Sequence, residues 1–381
     1  MSTSSHEPIA IIGAGISGLS AGITLVKNGI KSVIFERDKT LSSEGSGTTL
    51  SKNALDVLEA LSLLEEIKKE SFQANKISIK SKSKLITELN PYIFYTTRQK
   101  IVEILKKNYL RLGGEILFNH EMIDFNNDSK EIVFKSNSSF KTSHVLACDG
   151  INSRIRKLFF NKDKPIYSGF NAWRGFIDDT KNKVPEMHYG SGSHFVTYPI
   201  NDLMERCFIG IVRSKNILDE SWIKKGTVEE VLNDFNNYDE SIISLIKESK
   251  NLHKWGIYTR PSLKKMYIKN ITLLGDAAHP MVPFLGQGGC LAIEDGYTFG
   301  TLLKKSELNF SKTQFFYDKL RRTRAKIIQN LSMKVAFSNH LSNPILENSR
   351  NFIMKYSGLP QYAQKKLHSF NVDESIKKIL K

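Results

Sequence analysis

The sequence predicts an α/β fold built from two different kinds of β-sheet. A short apolar run at residues 9–12 is followed by three glycines, a helical stretch and a second apolar run, which is the pattern of a parallel β-α-β unit. Residues 271–296 repeat the order of strand, glycine turn and helix. In between, from 76 to 95 and from 167 to about 267, apolar and polar residues alternate, as in half-buried antiparallel strands. We therefore expect a discontinuous parallel-sheet domain combined with a second, mixed sheet.

The N-terminal unit has the spacing of a dinucleotide-binding turn. Gly13, Gly15 and Gly18 follow the first strand at G-x-G-x-x-G spacing. The first glycine permits the tight turn, the second lets the backbone approach a pyrophosphate, and the third lets the helix pack on the strand. The second strand ends at Glu36, where a carboxylate can accept hydrogen bonds from a ribose. The residues predicted to bind the dinucleotide are Gly13, Ala14, Gly15, Ile16, Ser17, Gly18, Glu36 and Arg37.

This unit does not separate FAD from NAD, but a segment near the other end of the chain does so by resemblance. Residues 271–274 form an apolar strand, Asp276 stands at its carboxyl end, and a glycine-rich turn opens a helix. The stretch 273–296, LLGDAAHPMVPFLGQGGCLAIEDG, resembles the second FAD motif of the single-component (class A) FAD-dependent monooxygenases. That family contains the aromatic hydroxylases, and the likeness extends to its salicylate-hydroxylase, urate-hydroxylase and zeaxanthin-epoxidase types.

The resemblance implies a role for each residue of this segment that matches the family's motif. It implies that Gly275 and Asp276 bind the ribityl side of FAD and that Pro283 lies beside the isoalloxazine ring as a catalytic residue. It further implies that backbone N–H groups reach the pyrimidine edge of the ring from a turn made of Gly286, Gln287, Gly288 and Gly289. An ordinary strand-to-helix turn with a capping aspartate is the alternative.

Two other segments are similar to the same family. Residues 144–157, HVLACDGINSRIRK, resemble its Asp-Gly motif, which implies that Asp149, Gly150 and Arg156 serve FAD and the approach of NAD(P)H. Arg98 matches the family's FAD-contacting arginine at the start of a helix. Taken alone, the first segment would be a strand, a turn and a helix N-cap, and Arg98 would be a solvated surface charge. The chain departs from many relatives at Lys52, which stands before Asn53 where they carry proline.

The family implies a fold like that of p-hydroxybenzoate hydroxylase, with a Rossmann-like FAD-binding domain, a mixed β-sheet substrate domain and C-terminal helices. On this basis we expect the FAD-binding domain to comprise residues 1–75, 98–165 and 269–305. The substrate domain is expected at 76–97 and 166–268, and a helical region at 306–381. A helical insert is expected from Val228.

The substrate-binding residues are less well determined by the sequence. Arg206 opens the strand RCFIGIV, where relatives place an arginine that orients or activates an anionic substrate, so it is a catalytic and substrate candidate. A surface arginine at the start of a strand is the alternative. The other substrate candidates are Arg174, His188, Tyr198 and Arg213. His188 and Tyr198 could polarise a phenol, although each is also an ordinary sheet residue.

The resemblance implies that NADPH or NADH reduces FAD, that O₂ forms a flavin C4a-hydroperoxide, and that one oxygen atom hydroxylates an aromatic or heteroaromatic small molecule. Epoxidation of an alkene and inactivation of a tetracycline-type antibiotic are alternatives within the family. A flavin reductase-type protein without oxygen insertion is an alternative outside it. The sequence does not choose between these substrates or between the two nicotinamide cofactors.

Composition fits an ordinary enzyme of this kind. The formal net charge of +16 is spread along the chain without a nucleic-acid-binding motif, so no nucleic-acid partner is expected. We expect a cytoplasmic protein, because the three cysteines are unevenly spaced and the sequence has neither a transmembrane run nor a secretory signal. No metal is expected, since the sequence has no metal-ligand cluster. The chain is expected to be a monomer or a homodimer. The tail around 345–353 with Lys365 and Lys366 is expected to form helices that pack on the body, with contact to an acidic membrane face as the less favoured alternative.

Overall fold

The computed structural model describes residues 7–41, 46–160, 162–178, 182–201, 205–220 and 224–381, so most of the polar opening lies outside the described residues. The strands, in chain order, are β1 Ile9–Ile12, β2 Ser32–Phe35, β3 Gly47–Ser51, β4 Phe72–Ala74, β5 Ile77–Ser81, β6 Lys84–Leu89, β7 Ile93–Thr97, β8 Glu115–Leu117, β9 Met122–Asn126, β10 Glu131–Phe134, β11 Ser139–Lys141, β12 Val145–Ala147, β13 Ile166–Asp178, β14 Glu186–Gly190, β15 Ser193–Pro199, β16 Glu205–Arg213, β17 Lys250–Thr259, β18 Tyr267–Ile268 and β19 Ile271–Leu273.

The α-helices are α1 Ile16–Lys27, α2 Lys52–Ala60, α3 Leu64–Lys69, α4 Arg98–Arg111, α5 Arg154–Phe159, α6 Val228–Phe235, α7 Glu240–Lys247, α8 Gly288–Lys305, α9 Phe310–Asn339, α10 Pro344–Tyr356, α11 Leu359–His368 and α12 Val372–Leu380. Short 3₁₀ turns occupy Gly275–Ala277 and Pro283–Leu285. The helical insert predicted from Val228 is two helices, α6 and α7, because the intervening Asn-Asn-Tyr-Asp stretch ends the first and Asp239 caps the second.

The first sheet has the order β18-β19-β12-β1-β2-β8, with all neighbours parallel except β18 and β19. Strand β1 is completely buried, as a central parallel strand covered on both faces requires. Helices α1 and α8 touch closely at Gly296, where an added Cβ would lie 2.4 Å from the Ala21 nitrogen. This contact brings the N-terminal ends of both helices to the carboxyl edge of the sheet.

The second sheet has seven strands in the order β17-β13-β16-β15-β14-β5-β6, and only the β14–β5 pair is parallel. Alternation along its strands gives it two different faces. The outer face, with Trp173, Phe195 and Phe208, packs on α6 and α7. The inner face, with Phe170, Ala172 and Ile211, packs on Val282 and Ala336 from the parallel-sheet side of the molecule.

The remaining elements connect or cover these two sheets. A three-stranded sheet β3-β7-β4 lies between them, since Tyr95 of β7 stacks on Tyr198 of β15 with ring centroids 4.4 Å apart. The strands β9, β10 and β11 form a separate antiparallel meander. Helix α12 inserts Val372 and Ile376 into the core of the parallel-sheet domain. The predicted fold class is confirmed: a Rossmann-like α/β domain, a mixed sheet and C-terminal helices. The predicted domain boundaries stay predictions.

Candidate active site

The glycine turn after β1 is built as its spacing predicts. Gly13 has a φ of +104°, and an added Cβ would lie 2.5 Å from the Cys148 carbonyl oxygen. A Cβ on Gly18 would lie 2.0 Å from the Gly13 carbonyl oxygen, so only glycine lets α1 start here. At Gly15 the Cβ position is open, with the Arg98 guanidinium 3.9 Å away as the nearest group. The open side of the turn therefore has room for a ligand that passes close to the backbone.

Glu36 lies at the end of β2, beside the same turn. Its Oε2 accepts a hydrogen bond of 2.9 Å from the Ala14 N–H, which holds the carboxylate against the glycine turn. Its Oε1 accepts from the Asp38 N–H at 3.2 Å. Arg37 points away into solvent and forms an exposed ion pair with Asp38. Glu36 is thus in the predicted position, whereas the Arg37 side chain lies outside the turn.

Arg98 and Asp276 stand across from each other at the carboxyl edge of the parallel sheet. Desolvation by the surrounding protein raises the pKa of Asp276, and the charges of His279 and, more weakly, Arg98 act in the opposite direction. The Asp276 side chain is nevertheless open to solvent. Among the described residues, the Arg98 guanidinium has no hydrogen-bond or ion-pair partner. An arginine without a partner near an exposed carboxylate fits a polar ligand that contacts both groups.

The turn before α8 forms the opposite wall of the cleft at the carboxyl edge of the parallel sheet. Gly286 adopts a φ of +62° and approaches Thr49 of β3, while a Cβ on Gly288 would meet nothing within 4 Å. Helix α8 starts at Gly288, so the backbone N–H groups of residues 288–290 have no acceptor within the helix. Pro283 is exposed at the start of its 3₁₀ turn. The helix terminus therefore offers a positive electrostatic field to a bound group.

Behind this wall, the loop at Gly275–Ala277 is held by a completely buried carboxylate. Asp295 of α8 accepts from the Gly275 N–H at 2.7 Å and contacts His279 Nε2 at 2.6 Å. Its other oxygen accepts from Arg321 Nε of α9 at 2.6 Å. Although burial raises the pKa of Asp295, His279 and Arg321 outweigh burial and lower it. The carboxylate stays ionised and fixes the loop that carries Asp276.

Glu294, the neighbour of Asp295, extends the network to the glycine turn. It accepts from both Arg321 and Arg324 and, at 2.6 Å, from the Asn53 amide of α2. Asn53 also donates to the Gln287 side chain at 3.1 Å, and Gln287 donates to Ser51 at 2.9 Å. The side chain of Gln287 thus faces inward, so that only its backbone faces the cleft. Sequence reasoning missed Asn53, Glu294 and Asp295 as parts of the site.

The Asp-Gly segment after β12 divides into two parts. Asp149 accepts from the N–H groups of Arg154 and Ile155 through Oδ2, while its buried Oδ1 has no hydrogen-bond partner among the described residues. Gly150 has a φ of +75° with open space around its Cβ position. Burial raises the pKa of Asp149. An unpartnered buried oxygen at this edge is suited to accept a hydrogen bond from a ligand.

Arg156 lies behind the cleft. Its guanidinium is fully buried and donates to the carbonyls of Ala277, Ala278 and Pro261 and to both oxygens of Asp163. These five bonds occupy all five of its N–H donors. The geometry therefore makes Arg156 a support for the Gly275–Ala277 loop, and it leaves no donor for a direct cofactor contact.

The structure places two of the predicted substrate residues on the outer face of the large sheet. Arg206 shares that face with Phe208 and is buried, donating to the carbonyls of Asn182 and Val184 and to Thr197 Oγ1. His188 contacts Glu186 at 3.0 Å and faces Asp239, the cap of α7. Both side chains point away from Pro283, so the structure gives neither of them access to the cleft.

The other three candidates lie on the inner face. Arg174 is buried between Ala172 and Phe176 on β13, and its charge acts on Cys207 of β16. Tyr198 is buried against Tyr95, and burial raises its pKa well above the usual value. Arg213 is exposed at the end of β16, at the rim of the same face. These three residues therefore lie on the sheet face that packs on Val282 and Phe284, the chain neighbours of Pro283.

A histidine pair on this inner face was not predicted. His194 of β15 contacts His340, just after α9, with 3.1 Å between Nδ1 and Nε2, and His340 Nδ1 contacts the Ala336 carbonyl at 2.7 Å. Burial lowers the pKa of His194 well below its usual value and that of His340 to about 4. Both rings lie against Phe284, in the turn of Pro283, at 5.5 and 5.3 Å between centroids. The signal available in the sequence was the strand SHFVTYP, in which His194 and Tyr198 are four residues apart and so share a face.

The hydrogen bonds fix the tautomers of this pair. Since the Ala336 carbonyl only accepts, the neutral His340 carries its proton on Nδ1 and uses Nε2 as an acceptor. His194 must therefore donate from Nδ1, and its own Nε2 is unprotonated. No hydrogen bond to His194 Nε2 is found among the described residues. The inner face thus presents one neutral imidazole acceptor beside the turn that carries Pro283.

Residues 6–327 match the model of the family described as FAD binding domain. The chain belongs to this family, that of the class A flavoprotein monooxygenases. It is 26% identical over 361 residues to a 3-amino-4-hydroxybenzoate 2-monooxygenase of Streptomyces platensis, covering 89% of this chain and 90% of that one. It is 28% identical over 317 residues to 3-hydroxybenzoate 6-hydroxylase 1 of Aquipseudomonas alcaligenes, covering 76% and 79%. A salicylate hydroxylase structure shares the fold, with a TM-score of 0.85, 20% identity and 98% of both chains covered.

The chain is accordingly an oxidoreductase with FAD as its cofactor, and the residues present fit that group. The cleft is bordered by backbone with open Cβ positions, at Gly15 and Gly288, and by two polar groups without partners, the Arg98 guanidinium and the Asp149 Oδ1. A binding site that combines accessible glycine backbone with polar side chains suits a dinucleotide. We propose Glu36, Arg98, Asp149, Asp276 and the backbone of residues 13–18 and 286–289 as the groups that hold FAD.

Proposed function

We propose that this flavoprotein hydroxylates a phenolic aromatic acid, using NAD(P)H and O₂. The overall reaction converts the phenol, O₂, NAD(P)H and a proton into a dihydroxylated ring, NAD(P)⁺ and water. Bound FAD supplies the redox and oxygen chemistry. The chain's own residues have to bind the cofactor, orient the ring of the substrate and exclude water from the space between them.

The observation that carries this proposal is the neutral acceptor at His194. A phenol hydroxyl can donate to its Nε2, and a phenol that is losing its proton is more electron-rich and therefore more open to oxygen transfer. The low pKa of His194, caused mainly by burial, keeps it an acceptor throughout the neutral range. His340 holds the imidazole in this tautomer through its own bond to Ala336.

The surroundings of His194 favour a flat apolar ring with a negative charge at one end. Phe170 and Phe284 pack edge to face at 5.2 Å beside the histidine pair, and Ile209 and Ile211 line the same strand face. Arg213 at the rim supplies a positive charge that also acts on His340. A carboxylate on the substrate could pair with this guanidinium. The two curated relatives named above carry hydroxybenzoates in their names, which supports the same class.

The test is purification of the full chain and assay of NADH and NADPH oxidation in air. The panel contains 3-hydroxybenzoate, 4-hydroxybenzoate, salicylate, 3-amino-4-hydroxybenzoate, benzoate, urate and a tetracycline. We expect a yellow protein whose oxidation of reduced nicotinamide is stimulated by a hydroxybenzoate, with a hydroxylated product in a one-to-one ratio and little peroxide. Benzoate, which lacks the hydroxyl, should stimulate weakly.

Other outcomes would count against the proposal in different ways. Coupled product from a tetracycline or urate, without stimulation by any hydroxybenzoate, would overturn the substrate class but retain oxygen transfer. Reduced nicotinamide consumed with stoichiometric peroxide for every compound would support a flavin reductase instead. A protein that cannot be loaded with FAD would contradict the cofactor assignment itself.

A further inference from the structure

Helix α10 is amphipathic in the reverse of the usual sense. Its charged residues Glu347 and Arg350 are buried against the body of the protein. Most of its apolar residues point outward, with Ile345 75%, Phe352 65% and Tyr356 65% exposed, whereas Met354 packs inward against Ile79, Ile86 and Tyr189. A surface helix of a globular protein normally turns its apolar stripe toward the core. The outward stripe therefore calls for a partner.

The inward orientation of the charges is held by specific contacts. Arg350 donates to the Ser338 carbonyl at the end of α9 and lies 4.0 Å above the ring of Tyr189. Glu347 pairs with Lys82 at 3.5 Å. These interactions fix the rotation of α10 about its axis, so the apolar side cannot turn inward without breaking them.

The outward residues form one continuous surface. Ile345, Phe352 and Tyr356 lie within about 40° of one another around the helix at 3.6 residues per turn, and the rings of Phe352 and Tyr356 are 4.9 Å apart. Helix α11 continues the surface with Leu359 and Tyr362, which are 55% and 64% exposed. We call the set Ile345, Phe352, Ile353, Tyr356, Leu359 and Tyr362 the α10–α11 apolar face.

Within the segment that carries this face, the exposed charge has a single sign; Glu88 of β6, which lies beside Gln361 of α11, is paired with Lys76. Between residues 326 and 371 the only acidic residue is Glu347, and it is buried. The exposed charges of the same segment are all lysines: Lys326, Lys334, Lys355, Lys365 and Lys366. Exposed aromatic and aliphatic side chains among basic ones are the composition of a surface that binds anionic lipid.

A second copy of the chain suits this face less well. A two-fold dimer would place the same patch on itself, and the lysines of one copy would face those of the other with no exposed carboxylate in the segment to pair with. An anionic bilayer satisfies both features at once. The apolar side chains enter the boundary between headgroups and acyl chains, and the lysines remain at the level of the lipid phosphates.

We propose that the α10–α11 apolar face docks this enzyme on the surface of anionic phospholipid bilayers. The contact is peripheral. Among the described residues, no helix is long and apolar enough to cross a membrane. The docking helix begins at Pro344, four residues after His340. The proposal concerns the C-terminal helices alone and holds whichever substrate the enzyme uses.

The test measures binding of the full-length FAD-loaded protein to sedimenting vesicles. One set contains phosphatidylcholine alone and another contains about 30% phosphatidylglycerol, both at about 0.1 M salt. We expect the protein to bind the anionic vesicles and to bind phosphatidylcholine at least ten-fold more weakly. The double variant Phe352→Ser, Tyr356→Ser should lose ten-fold or more of the binding to anionic vesicles.

A charge variant and two matched controls sharpen the result. Lys365→Gln with Lys366→Gln should lower binding about 25-fold, since each lysine near an anionic surface contributes about five-fold. Lys304→Gln with Lys305→Gln removes a similar pair from the last turn of α8 and should have no effect. Ile217→Ser removes an equally exposed apolar side chain and should also have no effect. Ile217 lies next to the β17 edge of the large sheet, whereas α10 contacts the opposite edge, at β6.

Three results would overturn the proposal. The first is absence of binding to anionic vesicles by the unaltered protein. The second is equal binding by the Phe352→Ser, Tyr356→Ser variant, with circular dichroism confirming that both proteins are folded. The third is a dimer, seen by sedimentation equilibrium, that this variant dissociates while vesicles bind neither protein, which would assign the face to self-association. FAD content and catalytic activity are not readouts, so the outcome is separate from that of the substrate assay.

Discussion

The two halves of the active-site cleft are built by different means. The cofactor half consists of backbone: glycine turns at 13–18 and 286–289, with buried ions behind them. The substrate half consists of side chains that alternate along β13, β15 and β16, and every second residue points away from the cleft. A glycine turn is specified by a few adjacent residues, whereas the face of a strand is specified by pairing between distant segments. Local sequence signals therefore predict the first half of the cleft and not the second.

The supporting networks differ in the same way. Behind the cofactor half, two carboxylates and two arginines form a charged network, and Asp295 ties α8 and α9 to the Gly275 loop. Beside the substrate half, the His194–His340 pair consists of neutral imidazoles whose pKa values burial has lowered. Removing a group should therefore destabilise the fold in the first case and alter catalysis in the second.

The largest effect should follow from Arg321→Met. It leaves Asp295 and Glu294 buried with one cation fewer, and breaking a buried ion pair in this way costs about 3–5 kcal/mol. We expect the free energy of unfolding in urea, measured without added FAD, to fall by that amount. Arg322→Met removes the neighbouring, half-exposed partner of Asp318 and should cost less than about 1 kcal/mol. Equal losses in the two variants would contradict a structural role for the buried network.

The next effect should be specific to the cofactor. Gly15→Ala adds a methyl group where the protein leaves open space, at a backbone conformation that alanine accepts, so the unfolding free energy without FAD should not change. The methyl group would occupy the path of the pyrophosphate, and we expect FAD affinity to fall by about 100-fold, or about 3 kcal/mol. Fluorescence titration with FAD measures this.

Gly113→Ala is the matched control, for which we expect the opposite result: a change in stability without a change in FAD affinity. Its φ of +84° strains alanine, with nothing near the Cβ position, so it should lower stability by about 1 kcal/mol and leave FAD affinity intact. If both variants bind FAD as the unaltered chain does, the proposed position of the dinucleotide is incorrect.

The third effect concerns the substrate half. His194→Leu removes the acceptor on the inner face, and the value of kcat/KM for a hydroxybenzoate should fall about 10- to 100-fold, as expected for a lost hydrogen bond of about 1–3 kcal/mol. FAD affinity should remain the same. His188→Leu removes a histidine of the neighbouring strand that faces α7, and kcat/KM should stay within about two-fold. A larger loss in His188→Leu than in His194→Leu would place the substrate on the other side of the sheet.

The sequence predicted the cofactor half well because its signals are local. The strand, the turn and the helix that follow Ile9 lie within twenty residues, and the positive φ of Gly13 and the close approach at Gly18 are consequences of adjacent geometry. The fold class, and the family and FAD that the resemblance of residues 273–296 implied, were confirmed. The individual FAD contacts remain proposals.

The same reasoning reached its limit at Arg206, His188 and the buried network. Arg206 and Cys207 are adjacent, yet one faces α6 and α7 and the other faces the cleft, and only the pairing of β16 with β13 and β15 decides which. The partners Asn53 and Glu294 are 241 residues apart, and no spacing rule connects them. Arg156 was predicted to serve FAD, but its five acceptor atoms come from loops that the sequence does not show to be close.

The smallest expected effect concerns the pH dependence of kcat/KM. If His194 is the acceptor, kcat/KM should stay nearly constant over a pH range in which an ordinary histidine would change its charge. An exposed histidine with a pKa near 6.5 would protonate between pH 7 and 5.5 and lose its acceptor. Burial, together with the charges of Arg213 and Arg350 facing His340, lowers the pKa of His340 to about 4, and that of His194 is lowered as well. The value of kcat/KM for a hydroxybenzoate should therefore change less than about two-fold between pH 7 and 5.5.

The free energy of unfolding should behave differently over the same pH interval. The unfolded chain binds protons below pH 6.5 that the folded chain does not take up until about pH 4, so the free energy of unfolding should fall as the pH falls. A step in kcat/KM centred near pH 6.5, without a parallel loss of FAD, would show that the imidazole facing the substrate is solvated and would remove the reason for choosing His194.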